Sequence, residues 1–300
     1  MWREADKAGK AQPPMSVPES TDRATTAVTH DGAFRVIALR TTDTVRECLR
    51  TQTPRADEVK HLADIVTGTI LVRLTMAPTL RVQGIIRGAQ KGTLVGDSHP
   101  DGTTRGLIQR PGDLEEVSLA DGALMQMMRT MPNGAMQKGV VEVPDGSVSG
   151  ALMNYLASSE QISSVAMVFT RFEGSEIASA GGYIVQLLPE VSRAPLAVMT
   201  ERLDADFSTA EQVLPLIDKK PELLMEEILY GMRFAQTQEA SLRFGCRCSS
   251  VRLLSTLGTL PRSDIHDLVS SGEPLHITCD YCQHVYELSP TALEGLLSES

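Results

Sequence analysis

The sequence predicts an α+β fold: an N-terminal α/β sheet domain, a helical linker and a small C-terminal domain built on four cysteines. Three observations carry that prediction. Short apolar segments separated by glycines flank one long segment of helical periodicity. A charged, interrupted helical stretch follows at 192–241, and Cys246, Cys248, Cys279 and Cys282 then form two tight pairs.

The first 30 residues, with Pro13, Pro14, Pro18 and many small polar side chains, bury too little apolar surface to offset chain entropy and read as a disordered tail. FRVIALR (34–40) is a short strand, and TDTVRECLR (42–50) places Val45, Cys48 and Leu49 on one helical face, with Cys48 as a packed small hydrophobe. Pro54 suits the first turn of a helix, in which Val59, Leu62, Ala63, Val66, Ile70, Leu71 and Leu74 recur at spacings of three and four. That segment is a long core helix.

Beyond Pro78, LRVQGIIRG, TLVGDS and TTRGLIQ form an antiparallel meander, punctuated by a His-Pro-Asp-Gly turn at 99–102. Gly84, Gly88, Gly92, Gly96 and Gly106 belong to turns and bulges; no Gly-Lys-Ser/Thr or dinucleotide fingerprint accompanies them to make a phosphate cradle. Met125, Met127, Met128, Met131 and Met136 are read first as core and strand packing, with an adaptable surface as the alternative. Ser147 caps a helix through GALMNYLASSEQ, and SVAMVFTRF and IASAGGYIVQLLP are strands joined by Glu-Gly-Ser, completing the α/β domain near Leu188. Within 192–241, a capping box runs from Ser208 to Glu211, and a helix from Pro221 carries Leu223, Leu224, Ile228 and Leu229. Helices this short depend on tertiary packing for their order, which suits either a switch element or a plain linker.

The last 60 residues hold two brief helices (251–257 and 264–270), a hairpin of LHITC and HVYEL, a helix after Pro290, and both cysteine pairs. Four soft ligands delivered by two short turns are what a tetrahedral zinc ion needs, so Cys246, Cys248, Cys279 and Cys282 are the candidate metal ligands and Zn2+ the candidate cofactor of a small C-terminal zinc-binding domain. His276 and His284 flank the second pair; with four thiols present they read as solvated strand residues. Spacing alone favours a purely structural zinc knuckle. One residue between Cys246 and Cys248 also permits a strained, easily reduced disulfide once a metal leaves, so a redox role stays open.

Composition bounds the function. Three hundred residues with 42% hydrophobic and 22% charged content are ordinary for a globular protein with a real core. A net charge of -10 argues against sequence-independent nucleic-acid binding. No apolar run approaches the roughly 18–20 residues of a membrane span, and MWREADKAGK lacks the apolar stretch of a secretory signal. The expectation is a cytoplasmic protein without membrane or nucleic-acid partners, whose paired thiols bind metal or sense oxidant. Neither a Ser-His-Asp spacing nor His-Glu-x-x-His nor a cofactor fingerprint occurs, so the expectation is also that it is not an enzyme.

The Cys-Arg-Cys motif, 30 residues, then Cys-Asp-Tyr-Cys with Tyr286 shortly after, resembles the zinc-binding end of the heat shock protein 33 family of redox-regulated holdase chaperones. FRVIALRTT (34–42), DGTTRGLIQRP (101–111), YLASSEQ (155–161) and AGGYIVQLLPE (180–190) fall in that family's order, and the resemblance covers 31 to about 290. It implies an α/β client-binding and dimerisation domain at 31–191, a metastable helical linker at 192–241 and a zinc-binding redox-switch domain at 242–300. It further implies that oxidants convert the zinc-bound thiolates to disulfides, Cys246 with Cys248 and Cys279 with Cys282, with zinc expelled. The implied partners are unfolding client proteins, ATP-dependent chaperones that receive the clients, and a second copy when oxidised. The alternative reading is a redox-insensitive, zinc-stabilised adaptor with one defined partner.

Overall fold

The computed structural model describes residues 20–114, 116–120, 122–188 and 193–298. Residues 1–19 of the expected tail and the expected boundary at 191/192 lie outside them. The described chain divides into two compact units, 20–245 and 246–298. The elements of the first are β1 (Arg23–Thr29), β2 (Phe34–Arg40), α1 (Thr42–Arg50), α2 (Ala56–Thr75), β3 (Arg81–Arg87), β4 (Thr93–Ser98), β5 (Thr103–Gln109), β6 (Leu124–Thr130), β7 (Met136–Glu142), α3 (Val148–Ser158), β8 (Ser164–Glu173), β9 (Glu176–Leu187), α4 (Arg193–Asp206), α5 (Ala210–Lys219), α6 (Pro221–Ile228), β10 (Phe234–Ser241) and β11 (Arg243–Phe244). The second unit holds α7 (Ser250–Leu257), α8 (Arg262–Ser270), β12 (Leu275–Thr278), β13 (Val285–Leu288) and α9 (Pro290–Ser298). The chain is α+β, as the sequence predicts.

Helix α2 is buried on every side from Leu62 to Leu74, with Asp64, Thr67, Thr69 and Arg73 among its mostly apolar residues. It packs on β3, β4 and β5 of one sheet and on β2, β8 and β9 of another. The first of these sheets has the order β11-β5-β4-β3-β6-β7, the second β10-β1-β2-β9-β8. Leu62, Ile65, Val66, Ile70 and Leu71 are fully buried between them. Pro54 stands just before the helix, whose N-cap is Arg55.

Three of the five meander glycines correct the expectation of turns and bulges. Gly84 pairs with Gly96, and Gly96 with Gly106, in a row across the middle of β3, β4 and β5. A Cβ on Gly96 would lie 2.7 Å from Thr69 Oγ1, 2.9 Å from the Ile65 carbonyl oxygen and 3.1 Å from Val66 Cα. The row is a seat in which α2 touches the sheet backbone, a use of strand glycine that no local pattern displays. Gly96→Ala should therefore cost about 1–3 kcal/mol by overpacking. Urea unfolding measures it, and a loss below about 0.5 kcal/mol, the range of neutral surface changes, would mean that α2 has room to retreat.

Other differences are equally local in cause. The expected tail ends too late: residues 23–29 form β1, a central strand between β2 and β10. The expected linker is helical only through α6, since 234–241 forms the edge strand β10, antiparallel to β1. The capping box sits one residue later than expected, from Thr209 to Gln212. Among the methionines, Met125 and Met127 are buried whereas Met136 is exposed, so core packing accounts for only part of the group. Ser147 caps α3 as expected, its Oγ accepting from the Gly150 N–H at 3.1 Å.

Helices α4, α5 and α6 cover the second sheet. Met199, Leu203, Val213, Leu214, Ile217, Leu224, Met225 and Ile228 bury their side chains with Phe34, Val36, Tyr183 and Val185 in one apolar cluster. Polar contacts fix the docking at its edge: Ser179 Oγ donates to Asp218 of α5 at 2.6 Å, and Tyr183 donates to the Phe207 carbonyl at 3.0 Å.

Candidate metal centre

The four cysteines stand on two short turns. Beyond β12, the Cys279 N–H donates to the His284 carbonyl at 2.9 Å and the Gln283 N–H donates to the Cys279 carbonyl at 2.8 Å. Gln283 takes a left-handed conformation at φ 59°, which closes the loop and brings Cys282 back beside Cys279. The other turn is tied to α7: Ser249 Oγ accepts from the Arg252 N–H at 3.3 Å, and the Arg252 guanidinium donates to the Arg247 carbonyl at 2.8 Å. Cys246 and Cys248 are thereby fixed ahead of the helix.

All four Sγ atoms lie within 4.8 Å of one another. Cys246 and Cys279 are separated by 3.8 Å and Cys248 and Cys282 by 3.4 Å. A tetrahedron with metal–sulfur bonds of about 2.3 Å has edges of about 3.8 Å, so the four thiols fit a tetrahedral ion. Both of these approaches run between the sequence pairs, which the spacing does not reveal. Among the described residues, this is the one group of candidate ligands brought together, and neither His276 nor His284 belongs to it. His276 is exposed in the hairpin opposite Glu287, and the His284 ring packs edge-on against Tyr286 at 4.5 Å.

Tyr286 is the neighbour that spacing alone misses. Its hydroxyl donates to Cys248 Sγ at 3.0 Å, a bond that favours a thiolate and orients it. Hydrogen bonds with Cys246 and Cys279, then burial, push the Cys282 thiol up; burial raises Cys248 against the opposing effect of Tyr286. A divalent ion removes that obstacle, because thiolate ligation exchanges protons for metal.

Cys48 has no part in this site. It is fully buried in α1, and burial pushes its thiol well above the ordinary range, consistent with the packed hydrophobe that the helical face predicts.

Fold and site together define an α+β protein with a C-terminal tetracysteine module able to hold one metal ion. The Hsp33 protein family model matches residues 22–289, and the chain belongs to that family. It is 29% identical to the 33 kDa chaperonin of Synechococcus elongatus over 93% of this chain and 98% of that one. To the 33 kDa chaperonin of Thermus thermophilus it is 28% identical, over 90% of this chain and 84% of the relative. The crystal structure of the 33 kDa chaperonin of Thermotoga maritima superposes with a TM-score of 0.77 at 20% identity, covering 92% of this chain and 97% of that chain, which establishes the shared fold. No described helix is long and apolar enough to cross a membrane.

Proposed function

We propose that the chain is a redox-regulated, ATP-independent holdase chaperone that captures unfolding proteins under oxidative stress. The observation that carries the reading is the thiol cluster itself, four sulfurs within 4.8 Å of one another. When bound, zinc supplies the cross-link that this small module's own core lacks. Cys246, Cys248, Cys279 and Cys282 hold it as thiolates, with Tyr286 hydrogen-bonded to one of them.

Oxidation acts on the ligands. Two thiolates of a pair, with two protons and one hydrogen peroxide, become one disulfide and two waters; each pair loses two electrons and its metal-binding charge. Pairing within each sequence pair, Cys246 with Cys248 and Cys279 with Cys282, is what the likeness to the Hsp33 family implies, and the one and two intervening residues are compatible with it. The loss of order then propagates along the chain from Cys246 through the two-residue β11 and the edge strand β10 to α6. Release of α4–α6 uncovers the apolar face of the second sheet, where clients bind. The oxidised protein pairs with a second copy, and clients pass to ATP-dependent chaperones after reduction.

The test is light scattering from a thermally unfolding client mixed with the protein, supplied either reduced and zinc-loaded or pretreated with peroxide at elevated temperature. Suppression by the oxidised form alone is the expected result. Equal suppression by both forms, or by neither, overturns the redox reading and leaves a zinc-stabilised adaptor. Disulfide mapping of the oxidised form checks the pairing.

A further inference from the structure

The chain has 13 methionines. Two of them, Met199 and Met225, are buried in the apolar cluster between helices α4–α6 and the second sheet, and Met167 and Met232 pack against that cluster. Met199 of α4 and Met225 of α6 are each 1% exposed. The sulfur of Met225 reaches the sheet itself: the Thr25 hydroxyl on β1, fully buried, donates to Met225 Sδ at 3.9 Å. Both sulfurs therefore belong to helices, and both are covered only while those helices are docked.

A thioether accepts an oxygen atom from peroxide or hypochlorous acid, and the product is polar, chiral and larger. With hypochlorous acid the sulfur loses two electrons and gains the oxygen, the chlorine leaves as chloride, and one proton is released. We propose that Met199 and Met225 are oxidation sites that hold α4–α6 off the sheet once those helices have lifted. The proposal rests on the reading that oxidant lifts them, and adds a second redox element with a different way back.

Docking a helix over a methionine sulfoxide places a new dipole and extra volume where there is no water and no space. Docked helices protect the two sulfurs, so oxidation at these positions follows opening and records it. The reductants that reopen a disulfide do not return the thioether at a useful rate; that takes a methionine sulfoxide reductase, which delivers two electrons and two protons and releases water. Restored thiols and zinc thus rebuild the cysteine site without re-covering the sheet. Leucine at either position fills nearly the same volume and has no sulfur to oxidise.

The experiment treats the full chain with hypochlorous acid, quenches it, reduces it with dithiothreitol and adds zinc, then follows amide exchange in α5 and α6 with peptide mass analysis of Met199 and Met225. The expected result is one added oxygen at each methionine and exchange about tenfold or more faster than before treatment, a loss of local protection. A Met199→Leu/Met225→Leu double variant regains its full protection. A second arm bypasses the cysteines: both proteins are unfolded in urea, oxidised with peroxide, reduced, supplied with zinc and refolded. If wild type docks α5 and α6 as fully as the double variant while carrying both sulfoxides, in either arm, the proposal is overturned. If it fails to dock only in the urea arm, because oxidant never lifts the helices of the folded protein, the block by sulfoxide stands and the cysteine switch is what fails.

Discussion

Chelation of the reduced protein unfolds residues 246–298, loosens β11, β10 and α4–α6 behind them, and leaves α2 and the strands packed on it folded. Among the described residues of the smaller unit, only Ile265, Leu288 and Leu293 are buried hydrophobics, and α7 buries nothing. Val251 is 70% and Val285 55% exposed. A core of that size supplies at most a few kcal/mol against the entropy of ordering the chain. Structural zinc held by thiolates contributes on the order of 10–16 kcal/mol of apparent binding energy at neutral pH, all of it folding energy when the apo site is unformed. Amide exchange with and without a strong chelator measures this. Protection should vanish throughout 246–298 and persist in α2 and in the strands packed on it, β2–β5, β8 and β9. A module that keeps its protection after the metal is gone would stand on contacts beyond those three side chains, and ligand oxidation would then have no way to open it.

The sequence displays this site well because its information is local. Two pairs of cysteines with one and two residues between them specify two turns, and turns are built from neighbours. What the spacing omits is every contact across the pairs: the 3.4 Å approach of Cys248 to Cys282 and the Tyr286 hydroxyl on Cys248 both depend on how the hairpin folds onto the first turn. Locality explains the fold in the same way. Helix α2 is legible because its apolar residues repeat along one segment, and the β3–β5 meander because each strand pairs with its sequence neighbour.

Strand β1 is not legible, since Arg23–Thr29 carries threonine and alanine where large apolar residues signal a core strand, and its partner β10 lies some two hundred residues away. Strand β10 is polar because it is a solvated edge, and a polar segment after three helices reads as linker. The displaced capping box has a different origin. Ser208 with Glu211 and Thr209 with Gln212 satisfy the same pattern, and only the structure selects the second. Nor does sequence align Gly84, Gly96 and Gly106; strand register does.

Asp97→Ala should destabilise the larger unit by about 3–5 kcal/mol, the cost of taking a buried carboxylate from two partly buried arginines. The Asp97 side chain on β4 is completely buried and accepts two parallel hydrogen bonds from Arg81, at 2.6 and 2.8 Å, and a third from Arg105 at 2.9 Å. His99 lies at 3.7 Å. The Arg105 guanidinium cannot simply turn to water when the carboxylate goes, since its side chain is only 14% exposed. Burial by itself would raise the Asp97 pKa, but the nearby His99 ring, the hydrogen bonds from Arg81 and the charges of Arg81 and Arg105 outweigh it and hold the carboxyl far below the usual range. A pKa depressed by folding contributes its full stabilisation above the unfolded value of about 3.9 and loses it as pH falls toward the folded one. Denaturant unfolding of wild type and Asp97→Ala should therefore show the same gap at pH 7 and pH 5, and a narrowing gap only below about pH 4. A gap undiminished at pH 2 would go against this account, because the unfolded chain by then carries its proton and the difference must already have shrunk. If instead the gap closes between pH 7 and pH 5, where the Asp97 carboxylate stays ionised in both states, the stabilisation belongs to a neighbouring group and not to this carboxylate among its arginines.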